Sequence, residues 1–227
     1  MPKFLTMDDL NLKNKTVLVR VDFNSPVDPN TKKVIDDTRI RAHADATIKE
    51  LVKKGAKTVI LAHQGRPGDA DFIGLGQHAE LLGKALDMPV IYADDVIGKV
   101  AQDSIKSLKS GEVLVLGNVR SISNEQNKGT PEEHSKTEFV QSLAPLADAF
   151  INDAFAAAHR AHVSIVGFTP LLASAAGRIM ERELKSLSKA LEKPEKPCVY
   201  VMGGAKADDS LEISKYVLSN GIADYVL

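Results

Sequence analysis

Short apolar, β-branched runs recur along this chain, at residues 16–21, 58–62, 89–92, 112–116, 148–151 and 198–202, and they are nearly continuous rather than alternating. A strand with one wet face alternates apolar and polar residues. A strand covered on both faces does not, and such strands belong to parallel sheets. Between the runs lie longer stretches with helical spacing. Residues 38–54 place Ile40, Ala44, Ile48 and Leu51 on one face. Asp36 or Asp37 stands where a helix N-cap is needed, and Gly55 where a helix ends. Residues 131–146 open on Pro131 with Glu132 and Glu133 in the first turn, beside the positive helix end. Residues 178–191 carry Met180, Leu184, Leu187 and Leu191 at helical spacing. The alternation predicts an α/β fold, a doubly wound parallel sheet of Rossmann-like type with right-handed crossovers.

Residues 192–197 hold Pro194, Pro197 and mixed charge after a long helix, and read as a lobe boundary. A new strand, Gly-rich turn and helix begin at Cys198. The expected division is residues 1–177 as a ligand-binding lobe, 178–197 as connecting helix and linker, and 198–227 as part of a second α/β lobe. Residues 223–227 read as a strand just starting, so a fragment of a larger protein is expected. Incomplete sheets leave strand edges open to pairing, so monomer and homodimer are both expected states.

The 227 residues are 44% hydrophobic and 26% charged, with a net charge of −1. That balance suits a packed core. It offers no polybasic tract for nucleic acid or membrane lipid, so neither is an expected partner. An anion site has to be assembled locally from a few basic side chains. Cys198 is the single cysteine, which excludes an internal disulfide, and no metal-ligand spacing occurs. It opens an apolar run and is expected to be a buried thiol. No apolar stretch approaches the roughly 20 residues of a membrane span, so a cytoplasmic protein is expected.

Ligands of open α/β sheets bind beyond the carboxyl ends of the strands. The residues after each run are therefore the candidates. Asp22-Phe23-Asn24 follows the first, His63-Gln64-Gly65-Arg66-Pro67 the second and Gly117-Asn118-Val119-Arg120 the fourth. Asn152-Asp153-Ala154-Phe155, then His159-Arg160-Ala161-His162, follow the fifth. Arg39 begins the helix after the first loop. Guanidinium forks match phosphate and carboxylate, and Asp22 and Asn24 suit hydroxyls, so the set favours a phosphorylated carboxylic acid. Taken singly, each residue has an ordinary reading as a solvated side chain, a turn cap or a satisfied polar group.

Gly203-Gly204-Ala205-Lys206 sits between a strand and a helix over 208–219, where backbone N–H groups can approach a phosphate and Lys206 adds charge. It is not a Walker A loop. Gly74-Leu75-Gly76-Gln77-His78-Ala79 matches a dinucleotide fingerprint, with Asp94 and Asp95 about 20 residues on. A Gly/Pro/Asp loop precedes it rather than a strand, so helix-start packing is the better account, and a nicotinamide oxidoreductase is not expected.

These segments, in this order, resemble phosphoglycerate kinases, most closely the archaeal ones. The matching residues are Val19 to Pro26, Asp37 to Ile40, His63 to Pro67, Asn118 to Arg120, Asn152 to Phe155 with Ala158 to His162, Glu181 to Leu191, and Gly203 to Lys206. The resemblance implies a two-lobed hinge enzyme. It transfers a phosphoryl group reversibly between 1,3-bisphosphoglycerate and ADP, giving 3-phosphoglycerate and ATP, with Mg²⁺. It implies that Asp22, Asn24, Arg39, His63, Arg66, Arg120 and Arg160 bind the three-carbon substrate. The catalytic residues it implies are Arg39, which would also face the transferring phosphoryl group, and Lys206, which would reach that group from the nucleotide side after closure, with Gly203, Gly204 and Lys206 on the nucleotide. The family continues far beyond residue 227, so the chain alone is expected to lack turnover. The alternative is a stand-alone lobe that binds a phosphorylated acid. Five positions depart from the family pattern: Gly117 for Glu, Ser121 for an aromatic residue, Ala156-Ala157 for Gly-Thr, and Ser210 for Lys.

Overall fold

A computed structural model describes residues 4–192, 194–204 and 207–227, the Asp209 side chain excepted. The chain divides into two compact units, Phe4–Glu181 and a smaller one over Arg182–Leu227.

The first unit is built on a six-stranded parallel sheet: β1 Thr16–Arg20, β2 Lys57–Leu61, β3 Ile91–Tyr92, β4 Val113–Val115, β5 Ala149–Asn152 and β6 Ala173–Ala176, in the order β3-β4-β2-β1-β5-β6. Its helices are α1 Thr38–His43, α2 Lys49–Lys53, α3 Gly76–Leu86, α4 Lys99–Ser107, α5 Pro131–His134, α6 Glu138–Leu143 and α7 Val163–Val166, with the first turn of α8 Arg178–Glu192, a helix whose remainder belongs to the second unit. Successive strand residues point to opposite faces. Val17, Val19 and Ile60 join Ile40, Ile48 and Leu51 in one core. Leu18, Val59, Leu61 and Leu114 join Phe139, Phe150 and Phe168 in the other. Both faces are covered, which is why the runs read as continuous. The chain steps from β1 toward β2 on one side and returns to place β5 on the other. The carboxyl ends of β1 and β5 therefore flank a topological switch point.

The expected helices form with two differences. The first is interrupted by a π turn, Ala44–Ile48, between α1 and α2. The Asp36 carboxylate accepts the Thr38 N–H at 2.8 Å, whereas Asp37 pairs with Arg41 instead of capping. Gly55 follows α2 at φ +72°, as a helix-ending glycine does. The second helix is split. Thr130 and Glu133 form a reciprocal capping box around Pro131, but the chain turns extended at Thr137 before α6 starts. The run at 89–92 contributes only the edge strand Ile91–Tyr92, because Asp87 takes a left-handed conformation at φ 54° and ends α3 just before it. Strand β6 was not expected; its residues are Ala-Ser-Ala-Ala.

The second unit holds a two-stranded parallel sheet, β7 Val199–Tyr200 and β8 Tyr225–Val226, with helix α9 Ala207–Ser219. Cys198 is half-buried rather than a core thiol, because this small sheet covers little: neighbouring Val199 and Val201 are exposed. Among the described residues no helix is long and apolar enough to cross a membrane.

The glycines at 74 and 76 lie against the Tyr92 ring, whose hydroxyl accepts the Leu75 N–H at 3.2 Å and donates to Asp94 at 2.6 Å. Asp95 accepts the Gly98 and Ala101 N–H groups at the start of α4. The fingerprint-like segment is helix-start packing.

Candidate functional site

A cleft of about 230 Å³ opens beyond the carboxyl ends of β1, β2, β4 and β5, lined by Asp22, Asn24, Arg39, His63, Arg66, Arg120 and Arg160. Gly65, Asp69, Asp71, Ala156 and Ala157 complete the lining. All seven residues singled out as substrate-binding thus share one rim.

At the end of β1, Asp22 is buried and its carboxylate receives Arg39 Nη1 at 2.7 Å. Its other oxygen accepts the Asn24 N–H at 3.1 Å, the hydrogen bond of an Asx turn. Asn24 Oδ1 in turn accepts the Gly65 N–H at 2.9 Å, tying the loops after β1 and β2 together. Gly65 holds φ +64°, and a Cβ there would lie 2.6 Å from the Asp71 and Phe72 backbone. Only glycine lets the 65–72 loop fold back so closely. Buried Gln64 anchors the same loop, accepting the Ser25 N–H at 2.8 Å and donating to Ser25 and Asp71 carbonyls. After β4, Asn118 donates to the Gln64 and Ile73 carbonyls and accepts the Arg120 N–H at 3.1 Å. The Arg120 guanidinium donates to the Gly65 carbonyl. These contacts set the pose of Arg120 without the family's residues at 117 and 121. At Gly117 a Cβ would crowd Asp95 at 3.2 Å and Val96 at 3.3 Å, so glycine suits this packing. After β5, Arg160 Nε donates to His159 at 3.2 Å.

The electrostatics are those of a cation cluster with unfilled capacity. Four guanidinium groups face the cleft, against carboxylates from Asp22, Asp69 and Asp71, and Asp22 is taken by Arg39. Burial holds the Arg120 pKa below the usual guanidinium range, and the neighbouring charges of Arg160 and Arg66 add to this. Burial pushes His63 down to about 2, with Arg20, Arg120 and Arg160 adding repulsion. His162 falls to about 4 for the same reasons, burial first. His63 is therefore a neutral imidazole, not a cation. Its Nδ1 faces Arg20 Nη2 at 3.0 Å and must accept, because guanidinium only donates. The ring proton is then on Nε2.

Arg20 was missed at the sequence level. It is 1% exposed, and its Nε donates to Ser164 Oγ at 2.8 Å. Ser164 Oγ donates to buried Glu125 at 2.5 Å, whose other oxygen accepts the Ser164 N–H. The available signal was a charge inside an apolar strand run, which a fold tolerates only with partners.

Among the described residues no group of three or more His, Cys, Asp or Glu side chains could hold a metal ion. Gly203 and Gly204 precede α9 with open space where Cβ atoms would lie, Gly204 at φ +133°. That leaves the backbone accessible, as approach to a phosphate requires. Ala205 and Lys206 lie outside the described residues.

The family model described as phosphoglycerate kinase matches residues 7–227. A phosphoglycerate kinase of Methanobacterium bryantii is 57% identical over 224 residues, covering 99% of this chain and 54% of that protein. One of Methanothermobacter thermautotrophicus is 56% identical over 225 residues, with the same coverage. The crystal structure of a phosphoglycerate kinase from Pyrococcus horikoshii OT3 superposes with a TM-score of 0.92 at 41% identity, covering 98% of this chain and 54% of that one. The chain spans about half the length of the relatives it matches.

Proposed function

The chain belongs to the phosphoglycerate kinase family, and from that premise we propose that its cleft binds 3-phosphoglycerate or the corresponding end of 1,3-bisphosphoglycerate. As part of a longer protein it contributes the acid-binding half of reversible phosphoryl transfer to ADP, a step of glycolysis. The observation that carries this reading is the convergence of Arg39, Arg66, Arg120 and Arg160 on one rim of a small cleft. Pockets for drug-sized ligands run from roughly 300 Å³ upward, so this one suits a molecule of a few carbons.

The roles follow from the geometry. Arg66, Arg120 and Arg160 supply forks for phosphate and carboxylate oxygens. Neutral His63 donates from Nε2, and Asp22 accepts from a hydroxyl, with Asn24 beside it. Arg39, held by Asp22, faces the end of the ligand where a second phosphoryl group would sit. Phosphoryl transfer needs positioning and neutralisation of charge on the moving group more than covalent chemistry. Mg²⁺ would supply part of that neutralisation when bound. Gly203, Gly204 and Lys206 serve the nucleotide side in this reading. The first unit acts as the acid lobe and residues 198–227 as the start of the nucleotide lobe.

A second reading, a lobe that binds the acid without transferring anything, is favoured for the isolated chain because the cleft is complete within the first unit. Calorimetric titration with 3-phosphoglycerate tests the site. We expect binding that is weakened about tenfold or more in Arg66→Ala and Arg160→Ala, the loss of a charge-assisted pair being worth about 1.5–3 kcal/mol. Equal affinity in all three proteins rejects the site. A coupled ATPase-type assay on the same samples separates transfer from binding alone.

A further inference from the structure

Behind the cleft lies a buried polar node that neither substrate binding nor sheet packing accounts for. Its centre is Asp153, just after β5, with its side chain fully buried. One oxygen receives His43 Nδ1 and Thr47 Oγ1, both at 2.7 Å. The other receives the main-chain N–H groups of Ile179 at 2.8 Å and Met180 at 3.2 Å, in the first turn of α8. Thr47 Oγ1 also accepts the Arg178 N–H at 3.1 Å. A Cβ on Gly177 would collide with the Asp153 carboxylate, so the helix start is pressed directly on this group.

His43 carries the node toward the cleft. It is 4% exposed, and its Nε2 takes the main-chain N–H of Asp22 at 3.1 Å. An N–H can only donate, so Nε2 must be bare and Nδ1 must hold the proton given to Asp153. The imidazole is thus locked in one tautomer between the backbone of a cleft residue and the carboxylate that seats α8. Each bond is buried, and losing either leaves a polar group unpaired at a cost of about 1–3 kcal/mol. The Phe23 ring lies edge-on to the imidazole, centroids 6.0 Å apart, and restricts sideways escape. Helix α8 is the element through which the chain leaves the first unit.

We propose that His43 is a positioning residue that couples ligand occupancy of the cleft to the first turn of α8, through the bridge from the Asp22 main chain to Asp153. A ligand that draws on the Asp22 carboxylate and the Arg39 paired with it moves the Asp22 backbone, and a rigid ring with a hydrogen bond at each end passes that displacement on. Coupling between sites is reciprocal, so the seating of α8 also conditions the cleft. The inference rests on reading the cleft as the acid site.

The test is nuclear magnetic resonance of the ¹⁵N-labelled chain titrated with 3-phosphoglycerate, with calorimetry alongside. In the unsubstituted protein the His43 ring should show a protonated Nδ1 and a bare Nε2. The Ile179 and Met180 amide signals should shift as the ligand saturates. His43→Leu should abolish those shifts and weaken binding about fivefold or more, the lower end of measured site coupling. Thr47→Val, which loosens the node without cutting the bridge, should keep them. An Nε2-protonated His43, or Ile179 and Met180 signals unmoved at saturation in the unsubstituted protein, overturns the proposal without any variant. Shifts that persist in His43→Leu overturn it as well. Absence of any binding heat overturns the acid-site reading and the coupling with it, whereas heat without amide shifts overturns the coupling alone.

Discussion

Histidines 63, 78 and 162 carry the pH response at the scale of single residues. Their folded pKa values lie at about 2, 4 and 4, each lowered first by burial, whereas the unfolded chain titrates near 6.5. The unfolded state therefore binds more protons below that point. Stability is fully present above about pH 6.5 and is lost as pH falls from there. Buried His78 alone should remove about 3 kcal/mol by pH 4. Buried Glu125, whose pKa burial raises, acts in the opposite sense and offsets part of this. Urea unfolding from pH 7 to 4 should show the decline, and a profile flat across that range would refute the neutral-histidine reading. Six of the seven cleft residues were legible because they follow strands that share one edge, and Arg39 because it begins the helix after the first loop. Arg20 and His43 were not, and Asp153 stood among the strand-end candidates without its role, although all three lie in or beside the same segments. Their roles depend on partners up to 144 positions away, which no local pattern reveals.

At the scale of elements, the start of α8 is tied down by a fork of ion pairs. Arg178 donates to Glu50 from Nε and Nη2 at 2.8 and 2.6 Å, to Asp8 from Nη1 and Nη2, and to Glu181 at 2.7 Å. Arg178→Met should leave three neighbouring carboxylates without their shared cation. We expect a loss of about 2–3 kcal/mol in chemical denaturation, with 3-phosphoglycerate affinity weakened less than in Arg66→Ala, since Arg178 lies off the cleft and acts on it only through the seating of α8. An unchanged denaturation midpoint would show the fork to be dispensable. Strands β1, β2, β4 and β5 were readable because burial on both faces leaves an uninterrupted apolar signature. Strand β6 was not: Ala-Ser-Ala-Ala has no β-branched residue, and only its pairing with β5 and the Thr6–Ala176 bridge make it a strand. The π turn at Ala44–Ile48 was hidden because its apolar residues keep near-helical spacing while Thr47 turns to Asp153.

The whole molecule is uneven in strength. In the first unit two apolar cores enclose the sheet. In the second, β7 and β8 pair over only two residues each, and Val201, Leu211, Tyr225 and Leu227 are exposed. A two-stranded sheet is marginal in water. Amides of β7, β8 and α9 should therefore exchange with deuterium orders of magnitude faster than those of β1, β2 and β5, as regions of low local stability do. Equal protection in both units would contradict this. The sheet order has a further consequence, at the ribosome. Central β1 pairs Val17 with Ala149 of β5, so one of its edges waits for a strand about 130 residues downstream. At about 5–20 residues per second that interval is roughly 7–25 s. During synthesis this strand edge stays unclaimed, and it is open to pairing with another chain until the far side arrives.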